Sequence, residues 1–315
     1  MKTKQTNRFA LCFFLYFMLS TTGIALWTAS ASLPTGLYLM VGQLAAFVPP
    51  ILFYFAVTKQ PVAKTLRLHP LSLKNILLIL GMAVAIQPLI SLLSLISSFF
   101  FPNLVEDTMT EVLETGPFLA LLSVAVIPAF AEEFSTRGIL LSGYENLGRW
   151  KSFLACGLMF SLMHMNPQQF LYTFATGVLF CFLVERTDSI FASVLPHFLI
   201  NGGTVAAVFY EAAQSSLAEL PVSEISSRDT LFILIGAAIL SVPALLLLVY
   251  LFLKNNPQKR QPVHSAANID PDILAEQYPE ENFQLILPKE RFFTLPVLAV
   301  LVLYFIFGFL PFLGQ

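Results

Sequence analysis

Three ionisable side chains fall within one long apolar segment of this sequence. Residues 117–141 contain Glu132, Glu133 and Arg137. A charge at the centre of a membrane-spanning helix costs about 2.5–3.5 kcal/mol, so these three must face a protein interior or a wet cavity. Glu133 and Arg137 are four residues apart on one helix face, and we predict that they pair. Glu132 projects about 100° away from Glu133 and is left for another partner.

Two histidines and an asparagine lie in other apolar segments. His164 is near the end of the fifth such segment, and His197 follows Pro196 in the seventh. Asn201 comes four residues after His197, so their side chains project from one helix face. Pro196 cannot donate a backbone hydrogen bond, which leaves polar backbone beside His197. A lone histidine in a span is commonly a packing residue, but two of them with an amide and an unpaired carboxylate favour a site.

The depths of these groups in their spans agree. With a rise of about 1.5 Å per residue, Glu132 lies about 15 Å from the cytosolic end of its span and His197 about 12 Å. His164 and Asn201 each lie about 18 Å from that end. Because the hydrocarbon core is about 30 Å thick, we expect the four groups to share one layer of the bundle.

A carboxylate, two imidazoles and a carboxamide can hold and activate a water molecule. Glu132 would be the general base, and Asn201 could donate to a developing oxyanion. His164 and His197 could bind a divalent metal such as zinc, or could hydrogen-bond the water and the oxyanion directly. Such a set favours hydrolysis of an amide bond, although neither GxSxG nor HExxH occurs. A purely structural ion-pair cluster is the alternative.

The elements that must position these residues are transmembrane helices. Of the 315 residues, 57% are hydrophobic and 11% are charged, against about 25% charged in soluble proteins. We predict an all-α polytopic transmembrane helix bundle of eight or nine spans, with N-terminal spans in 1–116, a catalytic core in 117–210 and C-terminal spans in 211–315. The nine predicted spans are 9–30, 35–58, 75–101, 117–141, 152–166, 169–184, 189–210, 230–253 and 292–313.

The charges orient these spans with the N-terminus in the cytosol, because basic residues favour cytosolic segments. This orientation places 15 of the 17 basic residues in cytosolic segments, whereas the outer loop 102–116 carries four acids and no base. A proline-rich polar segment, 254–291, predicts a cytosolic irregular loop. Residues 29–31 resemble a signal-peptidase site, but the preceding apolar run is long enough to span, so we predict an uncleaved first helix. The 15 residues are Lys2, Lys4, Arg8, Lys59, Lys64, Arg67, Lys74, Arg149, Lys151, Arg186, Lys254, Lys259, Arg260, Lys289 and Arg291.

Three short patterns resemble the motifs of a known family. Residues 132–137 (EEFSTR) match EExxxR, 160–164 (FSLMH) match FxxxH and 197–201 (HFLIN) match HxxxN. In this order they resemble the CPBP (CaaX-protease and bacteriocin-processing, or Abi) family of intramembrane endopeptidases. The resemblance implies a helix bundle with a cavity open to the cytosolic side, and a water activated by Glu132. It also implies that His164, His197 and Asn201 complete the site, with supporting roles for Glu133, Arg137 and Phe160.

The expected activity is therefore that of an intramembrane endopeptidase acting on a membrane-associated protein or peptide. The family is classed with metalloproteases, so zinc or another divalent metal is an open expectation, with His164 and His197 as ligands. The lipid bilayer is the expected surrounding, in a bacterial plasma membrane, and no basic patch indicates nucleic acid. Two alternatives are a non-catalytic immunity or scaffold protein and a proton-coupled transporter. The transporter would predict ionised residues in several spans, whereas here they cluster in one.

Overall fold

The computed structural model describes residues 3–31, 33–217, 227–257 and 290–313, and this part of the chain is helical without a strand. Most of segment 254–291 lies outside the described residues. Ten principal helices follow one another, and a single turn, Val62–Thr65, lies between the second and the third. The ten are α1 (Thr3–Ala31), α2 (Thr35–Thr58), α3 (Leu73–Ser98), α4 (Leu104–Leu113), α5 (Pro117–Leu147), α6 (Arg149–Met163), α7 (Pro167–Thr187), α8 (Phe191–Leu217), α9 (Ser227–Asn255) and α10 (Leu295–Phe312).

Eight of these helices are long and apolar enough to cross a membrane, which confirms the predicted polytopic all-α bundle. The predicted fifth span, 152–166, corresponds to α6, which has 15 residues. At about 1.5 Å per residue, α6 is about 22 Å long, shorter than the hydrocarbon core. It packs as a hairpin with α7, so its short length is accommodated inside the bundle.

Helix α5 lies at the centre of the bundle, because its neighbours α2, α6, α7 and α8 all pack against it. Half of the most apolar stretch of α5 is buried, as is half of that of α7, against 6% for the peripheral α9. A charged residue on α5 therefore contacts protein rather than lipid, as the cost of exposing it to hydrocarbon requires.

The two ends of the bundle differ in charge. At one end of the bundle, Arg67 pairs with Glu145 (2.7 Å) and Arg149 pairs with Glu185 (2.7 Å), and we call this end the basic end. The opposite end of the bundle contains α4, which carries Glu106, Asp107 and Glu111, and we call it the acidic end. Helices α1, α3 and α6 begin at the basic end, and α2, α7 and α9 end there.

Candidate active site

The helix α5 changes its winding on both sides of the paired glutamates. The α-helical stretch Ile127–Glu133 lies between two π-helical stretches, Leu121–Val126 and Phe134–Leu140. Such π turns are rare, and those that occur are frequently at functional sites. Here they flank the segment that carries Glu132 and Glu133 into the bundle interior.

Glu133 lies in a fully buried ionic network. Its Oε1 accepts hydrogen bonds from Arg137 Nη1 (2.8 Å) and from His197 Nδ1 (2.8 Å). The predicted pair of Glu133 and Arg137 is therefore present, with both side chains 0% exposed. Because the carboxylate oxygen accepts, Nδ1 of His197 carries the proton of this contact, and in the neutral form of the ring Nε2 is an acceptor.

Polar and aromatic groups contact the terminal nitrogens and the face of the Arg137 guanidinium. It donates to Thr136 Oγ1 (2.8 Å) and to the carbonyl oxygen of Gly177 (3.3 Å). Its guanidinium carbon lies 4.1 Å from the centroid of the Phe160 ring, a cation–π contact. A Cβ atom on Gly177 would lie 3.0 Å from Cα of Gly157, so only glycine allows α6 and α7 to approach this closely.

Glu132 points into a different environment from its neighbour. Its Oε1 accepts a hydrogen bond from Nε2 of Gln43 (3.1 Å), and its Oε2 lies 3.9 Å from Nε2 of His197. The second separation is too long for a direct hydrogen bond and leaves room for a bridging water. Glu132 is 8% exposed, so it is the glutamate of the pair that solvent can reach.

His164 caps the end of α6 with one ring nitrogen committed. Its Nδ1 lies 2.9 Å from the carbonyl oxygen of Phe160, and the two rings make an edge contact at 4.8 Å. A carbonyl only accepts hydrogen bonds, so Nδ1 carries the proton. In the neutral ring, Nε2 then has a lone pair and no proton. His164 can therefore donate to an oxyanion through Nε2 only as an imidazolium.

Asn201 has a backbone partner that the sequence pattern did not indicate. Its Nδ2 donates to the carbonyl oxygen of Val124 at 2.9 Å. Pro128 has no N–H, so the carbonyl four residues before it lacks its usual helical donor, and the Asn201 amide supplies one. This bond uses one of the two N–H bonds of the amide, and the other is left for a donor role toward an oxyanion.

A cavity of about 1090 Å³ connects these groups. Glu132, His164 and Asn201 line it together with Gln43, whereas His197 lies behind Glu132. Three of the four predicted catalytic residues thus face one cavity, and the fourth, His197, is adjacent to the Glu132 carboxylate. Their catalytic roles stay predictions.

The cavity opens toward the acidic end of the bundle. At its mouth the lining comes from α4, from the last turns of α3 and α6, from the first turns of α7 and from the second half of α8, whereas α2 and α5 line its interior. None of its lining residues comes from the described part of the basic end. The sequence predicted both a cytosolic N-terminus and a cavity open to the cytosol, and these two predictions cannot both hold, because α1 begins at the basic end.

The residues fit a bound metal poorly. Two neutral imidazoles and a carboxylate are suitable ligand types for zinc. However, in the described ranges no three His, Cys, Asp or Glu side chains lie close enough together to hold an ion. Metal binding by His164 and His197 therefore stays a prediction without a complete ligand set.

Gln43 is the site residue that sequence reasoning missed. It lies on α2, far from the motifs in sequence, and it is the donor to the Glu132 carboxylate. The available signal was its type, because it is the one amide side chain in the apolar segment 35–58. Intramembrane polar residues tend to face functional interiors.

Comparison with known proteins supports the motif assignment. The family model described as "Type II CAAX prenyl endopeptidase Rce1-like" matches residues 114–203, the segment that carries all three motifs. Searches of curated proteins and of solved structures found no match. Over residues 114–203 the chain is therefore similar to the Rce1-like CAAX-type intramembrane endopeptidases, and the family resemblance predicted from the motifs is confirmed.

Proposed function

We propose that this protein is an intramembrane endopeptidase in which Glu132 activates a water molecule for attack on a peptide bond. The observation that carries the proposal is the position of two acceptor atoms, Glu132 Oε2 and His197 Nε2. They lie 3.9 Å apart beside a cavity of about 1090 Å³, which is large enough for water and a peptide segment. A water on the cavity side of this pair, within hydrogen-bond distance of both atoms, would direct one O–H bond to each acceptor. Its lone pairs would then point into the cavity, where a substrate carbonyl would lie.

The reaction follows from this placement. As the water oxygen bonds to the carbonyl carbon, Glu132 takes a proton from the water, and a tetrahedral oxyanion forms. Glu132 then passes this proton to the leaving nitrogen while the C–N bond breaks, giving a carboxylic acid and an amine. The second N–H of the Asn201 amide would donate to the oxyanion, as would His164 in its protonated form.

The buried network keeps the site ready for this reaction. Arg137 balances the charge of Glu133, so Glu133 accepts the proton of His197 Nδ1. This leaves the opposite nitrogen of His197 free to accept from water. Gln43 orients the Glu132 carboxylate from α2.

The decisive experiment compares Glu132→Gln with Glu114→Gln in detergent-purified protein, using a quenched fluorogenic peptide library. Glu114 is exposed and does not line the cavity, so the same chemical change there is a matched control. We expect Glu132→Gln to lower the cleavage rate by about 10²-fold or more, because the general base is lost. Wild-type cleavage by a folded Glu132→Gln protein would refute the proposal.

A further inference from the structure

The position of the cavity relative to the charged ends carries an inference about the substrate. Every described lysine and arginine except Arg137 and Arg228 lies at or next to the basic end of the bundle. The cavity opens at the other end, next to α4, where Glu106 and Glu211 contribute to its lining. No lysine or arginine lines the cavity in the part of the chain that is described.

Insertion into a membrane couples this asymmetry to the two compartments. Short segments rich in Lys and Arg are retained in the cytosol, and acidic residues contribute little to the choice. The basic end is formed by several separate connections along the chain, so the preference for a cytosolic basic end is repeated rather than set by one loop. The acidic end, with the cavity mouth, then faces the opposite side of the membrane.

We propose that the cavity receives its substrate from the non-cytosolic side of the membrane, as a peptide segment of an exported or membrane-anchored protein. The substrate part of this inference rests on the proposed endopeptidase function. Glu132 lies 15 residues into α5 from the acidic end, about 22 Å along the helix. A substrate must therefore extend from the non-cytosolic surface into the cavity to reach the carboxylate.

Cysteine labelling measures directly on which side of the membrane the cavity opens. The parent protein carries Cys12→Ser, because Cys12 is exposed while Cys156 and Cys181 are buried. Two single variants are then compared: Thr204→Cys, on an exposed cavity-lining residue, and Lys151→Cys, on an exposed residue of the basic end.

A membrane-impermeant maleimide is applied to intact cells and to inverted vesicles, with the Cys12→Ser parent as the background. We expect Thr204→Cys to be labelled in intact cells and Lys151→Cys only in inverted vesicles. Adding Asp107→Cys, an exposed position on α4, maps the mouth independently of the cavity wall. Labelling of Thr204→Cys and Asp107→Cys only in inverted vesicles would overturn the inference.

The substrate side is tested with a membrane-impermeant fluorogenic peptide library in sealed proteoliposomes. Liposomes in which Asp107→Cys is accessible from outside should cleave the external peptides, and liposomes of the opposite orientation should not. Cleavage only in the opposite orientation would overturn the inference. If labelling follows the expectation but detergent-purified protein shows no Glu132-dependent cleavage, the proposed function fails and the substrate assignment falls with it, while the measured side of the cavity stands.

Discussion

The substitution Gln43→Leu tests whether a residue from outside the family-matched segment positions the reactive carboxylate. Nε2 of Gln43 donates to Glu132 Oε1 at 3.1 Å, and the contact joins α2 to α5. Leucine has a similar size and suits an apolar helix, but it cannot donate. The change therefore removes this orienting hydrogen bond while keeping most of the packing of α2.

The size of the effect follows from the strength of a hydrogen bond to a charged group, about 1.5–3 kcal/mol. If all of this were lost from the transition state, kcat would fall about 10- to 150-fold, since 1.4 kcal/mol corresponds to a tenfold change in rate. Water in the cavity can replace part of the lost bond, so we expect about a tenfold fall. Because Gln43 orients the base and does not bind the peptide in this scheme, KM should stay unchanged.

The assay measures kcat and KM for Gln43→Leu against Gln87→Leu, using peptides that the wild-type protein cleaves. Gln87 lies on α3 and lines the same cavity, whereas the side-chain donor to Glu132 is Gln43. The control therefore reports the effect of losing an amide from the cavity wall. An unchanged kcat for Gln43→Leu, or a loss that appears only in KM, would refute a positioning role.

Three further predictions concern packing, the polar backbone and metal dependence. Gly177→Ala should lower the free energy of unfolding by about 1–3 kcal/mol, because its Cβ would lie 3.0 Å from the α6 backbone; Gly203→Ala, with open space around it, should not destabilise the protein in the same thermal unfolding assay. Asn201→Leu should lower it by about 1 kcal/mol, since the Val124 carbonyl loses its donor; unfolding indistinguishable from wild type would contradict this. Cleavage should survive a strong chelator, because the described residues lack a three-ligand set; loss of cleavage with recovery on adding zinc would contradict this.

The pattern of the sequence predicts the bundle and its central ion pair well. Apolar runs of about 20 residues fix the positions of the spans, because lipid leaves few alternatives to a helix. The spacing of Glu133 and Arg137 predicts their contact, since residues four apart on a helix are neighbours. Both inferences depend only on the geometry of a single helix, so one continuous segment of the sequence is enough to make them.

Contacts between distant segments could not be predicted in the same way. The bond from Gln43 to Glu132 joins two helices 89 residues apart in sequence, and the bond from Asn201 to Val124 depends on a carbonyl freed by Pro128. The side on which the cavity opens depends on how the ends of several helices diverge, which hydrophobic periodicity does not encode. The family resemblance implied a cytosolic opening, which cannot hold together with the predicted cytosolic N-terminus, because the cavity opens at the acidic end and α1 begins at the basic end.

The two adjacent glutamates have different roles in the proposed mechanism, because His197 faces Glu133 with one ring nitrogen and Glu132 with the other. Its Nδ1 contacts Glu133 at 2.8 Å, and its Nε2 faces Glu132 at 3.9 Å. The charge of Arg137 keeps Glu133 an acceptor, and this fixes the proton of His197 on Nδ1. In the proposed mechanism, the ionised state of Glu133 therefore determines whether His197 can accept a hydrogen bond from the attacking water.

Glu133→Gln should therefore reduce cleavage although Glu133 does not line the cavity. The glutamine amide can donate to Nδ1, which would move the proton of His197 to Nε2, and Nε2 could then no longer accept a hydrogen bond from the water. We expect cleavage to fall about 10²-fold or more, since a wrong tautomer disables a catalytic histidine. Nitrogen NMR of the labelled histidine would show which ring nitrogen carries the proton. If the proton stays on Nδ1 and cleavage is still lost, Glu133 acts through stability alone, and the coupling through His197 is wrong.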